Sequence, residues 1–235
     1  MNRALITVHM YVSIDGRIDG EFMDEGTGIS GDFYDQEIFR ISDTNANGSR
    51  TAGMYAAKGT VNLSKYSAEG MDYTDWTGNI HADTWNVVFD RKGKLGWEVN
   101  YFDYAGRKSQ VIEVTTQLAD LRYLAFLRSM SIPYIIAGKD DLDPELALIK
   151  LKQLFHMDRI TLCGGAIING VFLKHHLVDQ ISLVVSPYVS GDNNAKTAFN
   201  TGSEFINEGF TFTKALPLTD GGVQLIFDRK QENRS

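Results

Sequence analysis

The 235-residue chain is long enough to bury a full hydrophobic core, and its make-up, 43% hydrophobic and 23% charged, is that of an ordinary globular protein rather than a disordered or fibrous one. A formal net charge of −7 argues against general affinity for nucleic acid or an anionic membrane, since both need clustered Lys and Arg. The single cysteine, Cys163, excludes an intramolecular disulfide.

The N-terminus lacks the basic stretch and apolar core of a signal peptide, and no apolar run approaches the ~20 residues needed to span a bilayer. A soluble, cytoplasmic protein with no membrane and no nucleic-acid partner is the expectation.

In chain order, residues 3–12 read as a first strand. The strand runs into a loop, Ser13 to Gly20, punctuated by Asp-Gly pairs. Ser30-Gly31-Asp32 opens a helix through about Ile41, with acidic residues early in it. Asn45 to Arg50 reads as a turn, Thr51 to Ala56 as a short strand and Thr60 to Tyr66 as a short helix. The polar stretch from Ser67 to Thr84 is a long loop, and long loops in compact domains are often functional.

Trp85–Asp90 and Gln110–Val114 look like buried strands, and the spacing of Leu118, Leu121, Leu124 and Ala125 predicts a helix over 118–130. Pro133–Ala137 is a short apolar run. Asp143-Pro144 is a helix start, an N-cap acceptor followed by Pro, and that helix extends to about Phe155. Arg159–Cys163 reads as a strand, Gly164-Gly165 as the entry to another helix, and Val178–Val189 as a long strand. Phe210–Leu216 and Val223–Arg229 flank Asp220-Gly221-Gly222 as a hairpin. Alternating strands and helices with a closing hairpin imply a mostly parallel sheet in one domain, residues 1–235.

Chemistry concentrates at Cys163-Gly164-Gly165-Ala166-Ile167. A strand ends, two glycines permit close approach, and a helix N-terminus offers free N–H groups and the positive end of a dipole, which suits phosphate. The same pattern also serves as a plain tight turn. Neither a Walker A loop nor Gly-x-Gly-x-x-Gly is present, which disfavours a conventional dinucleotide fold. The five histidines, His9, His81, His156, His175 and His176, show no zinc spacing, so no metal is expected. His175 and His176 suit a helix C-terminus instead.

The block Gly164–Leu173, then Leu177–Leu183, Pro187 and Gly191, together with Ser13-Ile14-Asp15-Gly16-Arg17-Ile18, resembles the riboflavin-biosynthesis reductase domain and its stand-alone dihydrofolate-reductase-like relatives. The resemblance covers nearly the whole chain. It implies a three-layer α/β/α dihydrofolate-reductase-like fold with a C-terminal antiparallel hairpin, NADPH as cofactor, and a homodimer.

By the same resemblance, Gly164, Gly165, Ala166 and Ile167 would hold the cofactor's pyrophosphate. Thr115 and Thr116 would lie near its adenosine, Lys58 would meet the 2′-phosphate and Thr60 the diphosphate. Ser13, Asp15 and Gly16 would face the substrate, with Asp15 as the catalytic carboxylate, although an Asp-Gly pair is also a common turn. Cys163 departs from the pattern, because many relatives carry Glu there.

The implied reaction is hydride transfer to a C=N bond of a small heterocycle. The riboflavin-pathway candidates are 5-amino-6-(5-phosphoribosylamino)uracil and its 2,5-diamino analogue. The chain has no zinc-deaminase signature (His-x-Glu followed by Pro-Cys-x-x-Cys), so deamination is not available to it. The alternatives are reduction of a different small molecule, such as a pterin or another imine, and a nucleotide-binding relative without turnover.

Overall fold

The computed structural model describes residues 2–25 and 28–230. The expected single domain, 1–235, therefore runs past the described residues at both ends. By contacts the chain forms two compact units. The first is Asp43–Ile160 with the short segment ending at Ala4. The second is Leu5–Ser42 with the chain from Thr161 onward.

The first unit is built on parallel pairing. Strand β2 (Thr44–Gly48) pairs with β3 (Trp85–Phe89), β3 with β5 (Arg107–Thr115), and β5 with β6 (Tyr134–Ile136), all parallel. Strand β4 (Tyr101–Tyr104) adds antiparallel to the outer part of β5. The five residues of β3 are all buried, as are the last five of β5, which is why both read as continuous apolar runs.

Helices α3 (Ser49–Tyr55), α4 (Leu121–Ser129) and α5 (Pro144–Phe155) complete this unit. Asp143 caps α5 by accepting from the Leu146 amide at 2.9 Å, and His156 closes it in the left-handed region at φ 59°. Caps of this kind contribute about 1 kcal/mol each.

Two local expectations are corrected here. Residues 45–50 are not a turn but mostly β2, and 51–56 are not a strand but the body of α3 and its C-cap, Ala56. Thr-Asn-Ala-Asn-Gly has the composition of a turn. However, Asn45 lies opposite Asn86 in register, and the Asn86 amide donates to the Asn45 side chain, so a buried polar strand becomes tolerable. The expected helix over 60–66 shrinks to a 3-10 turn at Leu63–Lys65, and β4 was not anticipated.

The long loop 67–84 is pinned along one sheet edge. Trp76 and Tyr134 exchange both backbone hydrogen bonds at 2.9 Å, and Asp75 accepts from the Ile136 amide at 2.8 Å and from Lys150 Nζ at 3.0 Å. Arg128 lies 5.8 Å from both the Trp76 and Tyr134 rings. The loop thus covers the edge that β6 would otherwise leave open to pairing.

In the second unit β1 (Leu5–Val12) runs parallel to β8 (Gln180–Val185). β10 (Val223–Arg229) lies antiparallel between β8 and β9 (Phe210–Pro217), the expected C-terminal hairpin. Helices α1 (Phe22–Glu25), α2 (Ile29–Ile41) and α6 (Ala166–Lys174) belong to this unit. β7 (Arg159–Leu162) carries the chain from the first unit into the second.

The hairpin turn also caps α2. Asp220 accepts from the Ser30 amide at 2.7 Å and the Ser30 hydroxyl at 2.8 Å, filling the place of the missing N-cap side chain. Among the described residues no helix is long and apolar enough to cross a membrane.

Candidate functional site

Ligands of open α/β sheets bind beyond the carboxyl ends of parallel strands. In the second unit the ends of β1 and β8 carry the substrate-facing candidates. The chain leaves β1 at Ser13 and turns through Ile14, Asp15 and Gly16, with Gly16 at φ 76°, a conformation that favours glycine. The Ser13 hydroxyl donates to Asp15 at 2.6 Å. The amides of Ser190 and Gly191, just past β8, donate to its two carboxylate oxygens at 2.9 and 3.1 Å.

The Ile14 amide meets the Tyr188 carbonyl at 2.8 Å, so the two loops form one ledge. Three apolar side chains stand exposed along it, Ile14 (60%), Tyr188 (46%) and Val189 (64%).

These bonds hold the Asp15 carboxyl at about 2, with the Ser13 hydroxyl the largest cause and the Ser190 amide next. It is ionised throughout the neutral range, and its geometry is that of a staple between two loops. The same bonds give a pH sign. A carboxyl depressed in the folded state adds stability above its ordinary range near 3.8, and that stability is lost as pH falls toward 2.

Asp15→Asn retains one acceptor oxygen in place of two. The expected result is a KM rise larger than any fall in kcat, with the shape of the kcat–pH profile above pH 5 unchanged. A kcat that collapses while KM holds would return Asp15 to proton transfer.

The end of β7 delivers Cys163, Gly164 and Gly165. Gly164 has φ 94°, and a β-carbon there would meet the Met10 sulfur on β1 at 3.0 Å, so the position is closed to larger residues. The Gly164–Gly165 peptide is cis. Gly165 is the N-cap of α6 and has no side chain to cap the first amides of the helix; in that first turn Ile167 is 60% exposed. Unspent N–H groups and the dipole end are what an anion needs. The Cys163 thiol donates to the Thr161 carbonyl at 3.6 Å, a small residue turned back on its own strand.

The first unit brings its four candidates onto a single segment. The Thr115 and Thr116 hydroxyls donate to the Arg91 carbonyl at 3.4 and 2.8 Å. Both threonines are fully buried, so their hydroxyls hold the loop after β3 instead of projecting into solvent. Lys58 and Thr60 lie against the other end of the same loop. The Lys58 amide donates to the Gly96 carbonyl at 2.9 Å, and Thr60 forms an antiparallel bridge with Leu95. A β-carbon at Gly96 would sit 2.5 Å from the Lys58 carbonyl, so only glycine permits this approach. The Lys58 ammonium is exposed and pairs with Glu98 at 3.0 Å, a contact that an incoming phosphate could replace.

Beneath this segment lies a group the sequence reading passed over. Glu113, in the buried half of β5, accepts from Trp97 Nε1 at 2.7 Å and sits 3.0 Å from the Tyr123 hydroxyl. The only signal was a lone Glu inside an apolar strand run, which alternation alone assigns to a solvated face. Among the described residues no group of three or more His, Cys, Asp or Glu could hold a metal ion.

The model of the RibD C-terminal domain matches residues 4–221, through both units. The chain belongs to the RibD C-terminal domain family.

This RibD C-terminal domain is similar in structure to Acinetobacter baumannii RibD, with 17% identity and a TM-score of 0.68, covering 98% of the present chain and 59% of that one. It is also similar to a pyrimidine reductase-like protein from Corynebacterium diphtheriae (14%, TM-score 0.66, 98% and 93% covered). A third likeness is to the riboflavin biosynthesis reductase Rib7 of Saccharomyces cerevisia (13%, TM-score 0.64, 98% and 91% covered). At such identities these likenesses establish the dihydrofolate-reductase-like fold expected from the sequence. The RibD C-terminal domain here spans 59% of the A. baumannii RibD chain. No curated protein matches it.

Proposed function

We propose that the chain reduces a C=N bond of a small heterocycle, with NADPH as hydride donor and the phosphoribosylaminopyrimidines of riboflavin biosynthesis as first candidates. The observation that carries this is the α6 N-terminus behind Gly164-Gly165, whose N-cap residue supplies no side-chain cap, inside the stretch matched by the RibD C-terminal domain.

NADPH, when bound, supplies the hydride, and the protein supplies binding, orientation and exclusion of water. The amides of Ala166 and Ile167 would hold the pyrophosphate. Lys58, released from Glu98, would meet the 2′-phosphate, and Thr60 the diphosphate near it. Thr115 and Thr116 act on the adenosine end through Arg91, whose carbonyl they fix. Ser13, Asp15 and Gly16 shape the substrate ledge, and Asp15 works there by holding Ser190 and Gly191. The assembly is a homodimer in the cytoplasm.

A second reading, reduction of a pterin or another imine, is favoured by two observations. Cys163 occupies the position where the resemblance expects Glu, and beside Asp15 the ledge exposes the apolar side chains Ile14, Tyr188 and Val189. Both readings require NADPH binding, followed by nucleotide fluorescence during titration with NADPH and NADH. Cofactor oxidation with pyrimidine and pterin substrates then separates them. Binding without turnover of any C=N substrate would leave a nucleotide-binding protein, and no binding would remove the proposal.

A further inference from the structure

We propose that Glu113 is a positioning residue for the nucleotide-binding wall of the first unit: its neutral carboxylic acid latches the segment Asp90–Trp97 onto β5, and ionisation releases it. The link to the nucleotide rests on the proposed function; the latch itself does not.

The geometry is contained within one unit. Glu113 is fully buried. Its Oε2 accepts from Trp97 Nε1 at 2.7 Å and lies 3.0 Å from the Tyr123 hydroxyl, which is itself 3.0 Å from the Leu95 carbonyl. With the acid protonated, one consistent chain runs from Glu113 O–H to Tyr123 and from Tyr123 O–H to Leu95. Trp97 and Leu95 are thereby both tied to one carboxyl group.

Between these anchors lies Gly96, on which Lys58 and Gly59 are seated, and upstream is Arg91, on which Thr115 and Thr116 are seated. The whole set expected to face the nucleotide in this unit thus rests on a segment that Glu113 holds from below.

The surroundings favour the neutral acid. Burial is the main cause that raises its pKa well above the ordinary carboxylate value, and the Asp90 carboxylate at the end of β3 adds to it. Hydrogen bonds that Trp97 and Tyr123 would give the carboxylate oppose the rise without reversing it. Tyr123, on α4, is itself held neutral by burial and by Glu113.

From β6 the neighbour in register is Tyr134, whose hydroxyl accepts from Arg128 and whose charged surroundings are Arg128, Asp72 and Asp75. Among the described residues Glu113 Oε1 is buried with no hydrogen-bond partner, so an ionised Glu113 would carry charge on an unsolvated oxygen. Ionisation would also deprive Tyr123 of a donor and draw its hydroxyl away from Leu95. A folded-state pKa raised this way gives a hold that is complete at low pH and lost as pH rises through the raised value.

The test follows the Trp97 indole N–H and the Lys94 and Leu95 amides by NMR from pH 7 to 10, in the parent and in Glu113→Gln. In the parent these signals should move along one titration, with loss of exchange protection at Lys94 and Leu95. In Glu113→Gln, which keeps the shape and cannot ionise, they should stay fixed.

Over the same range, above the ionisation of the 2′-phosphate, the NADPH Kd of the parent should rise about five- to tenfold, the weight of one buried hydrogen bond, and that of Glu113→Gln should stay level. If Glu113→Gln does not fold, Tyr123→Phe serves: Trp97 should still titrate while Leu95 no longer follows it. Parent signals that stay put until unfolding, or move identically in Glu113→Gln, overturn the latch. Absence of NADPH binding at every pH defeats the cofactor reading instead, and the NMR titration then decides the latch alone.

Discussion

Gly165→Asp is expected to fold as well as the parent and to bind NADPH at least about a hundredfold more weakly. Gly165 has φ −73° and ψ −170°, which any residue adopts, and it is the N-cap of α6 with no side-chain cap. Asp is among the preferred N-cap residues, and in place of Gly it is neutral or stabilising by a few tenths of a kcal/mol. The same carboxylate would occupy the amides proposed for the pyrophosphate and add a negative charge beside it.

Two like charges about 4 Å apart near a protein surface repel by about 4 kcal/mol, and a hundredfold loss needs only about 2.7 kcal/mol. Gly165→Asn, a neutral cap of nearly the same size, should lose much less. Fluorescence titration of all three proteins beside their thermal melts gives the comparison. An Asp variant that binds like the parent would move the pyrophosphate away from α6.

The second large effect is acid destabilisation through His9. This histidine lies in β1 with no exposed surface. Its Nε2 is 3.1 Å from the Tyr34 carbonyl and its Nδ1 is 2.9 Å from the Ser182 hydroxyl, so the neutral ring donates to the first and accepts from the second. Tyr34 stacks on the ring at 4.7 Å, and Gln224 donates to Ser182 at 3.1 Å. Burial lowers the His9 pKa from 6.5 to about 4, against the Tyr34 carbonyl and the Glu37 carboxylate, which favour the charged form.

The unfolded chain therefore takes up this proton before the native one does. The stabilisation is complete above 6.5 and is lost as pH falls toward 4, a difference worth about 3 kcal/mol. Urea unfolding at pH 7, 5 and 4 should show that loss in the parent. His9→Gln, able to donate to Tyr34 and accept from Ser182 without titrating, should have a flatter profile by about that amount. Parallel profiles for the two proteins would show that His9 does not carry the acid sensitivity.

Much of this protein was decided locally. β1, β3 and the buried half of β5 follow from apolar runs with no competing turn signal, α5 from Asp143-Pro144, and the hairpin from Asp220-Gly221-Gly222, because each signal acts within a few residues. The same holds for the family, whose resemblance rests on contiguous motifs at Ser13–Ile18 and Gly164–Leu173.

Other features were set by partners distant in sequence. Thr44–Gly48 has turn composition and becomes a strand because Asn86 satisfies Asn45. The N-terminus of α2 is capped by a carboxylate 190 residues away. Asp15 reads as a catalytic acid or a turn residue, and that the Ser190 and Gly191 amides donate to its two oxygens is written in no local pattern. Glu113 reads as one polar letter in a strand until Trp97 and Tyr123 close over it. The chain by itself determined which segments are strands and helices wherever burial and capping agree. Only the tertiary structure decided which polar groups meet, because a buried carboxyl or amide takes its charge state and its role from partners that no local pattern records.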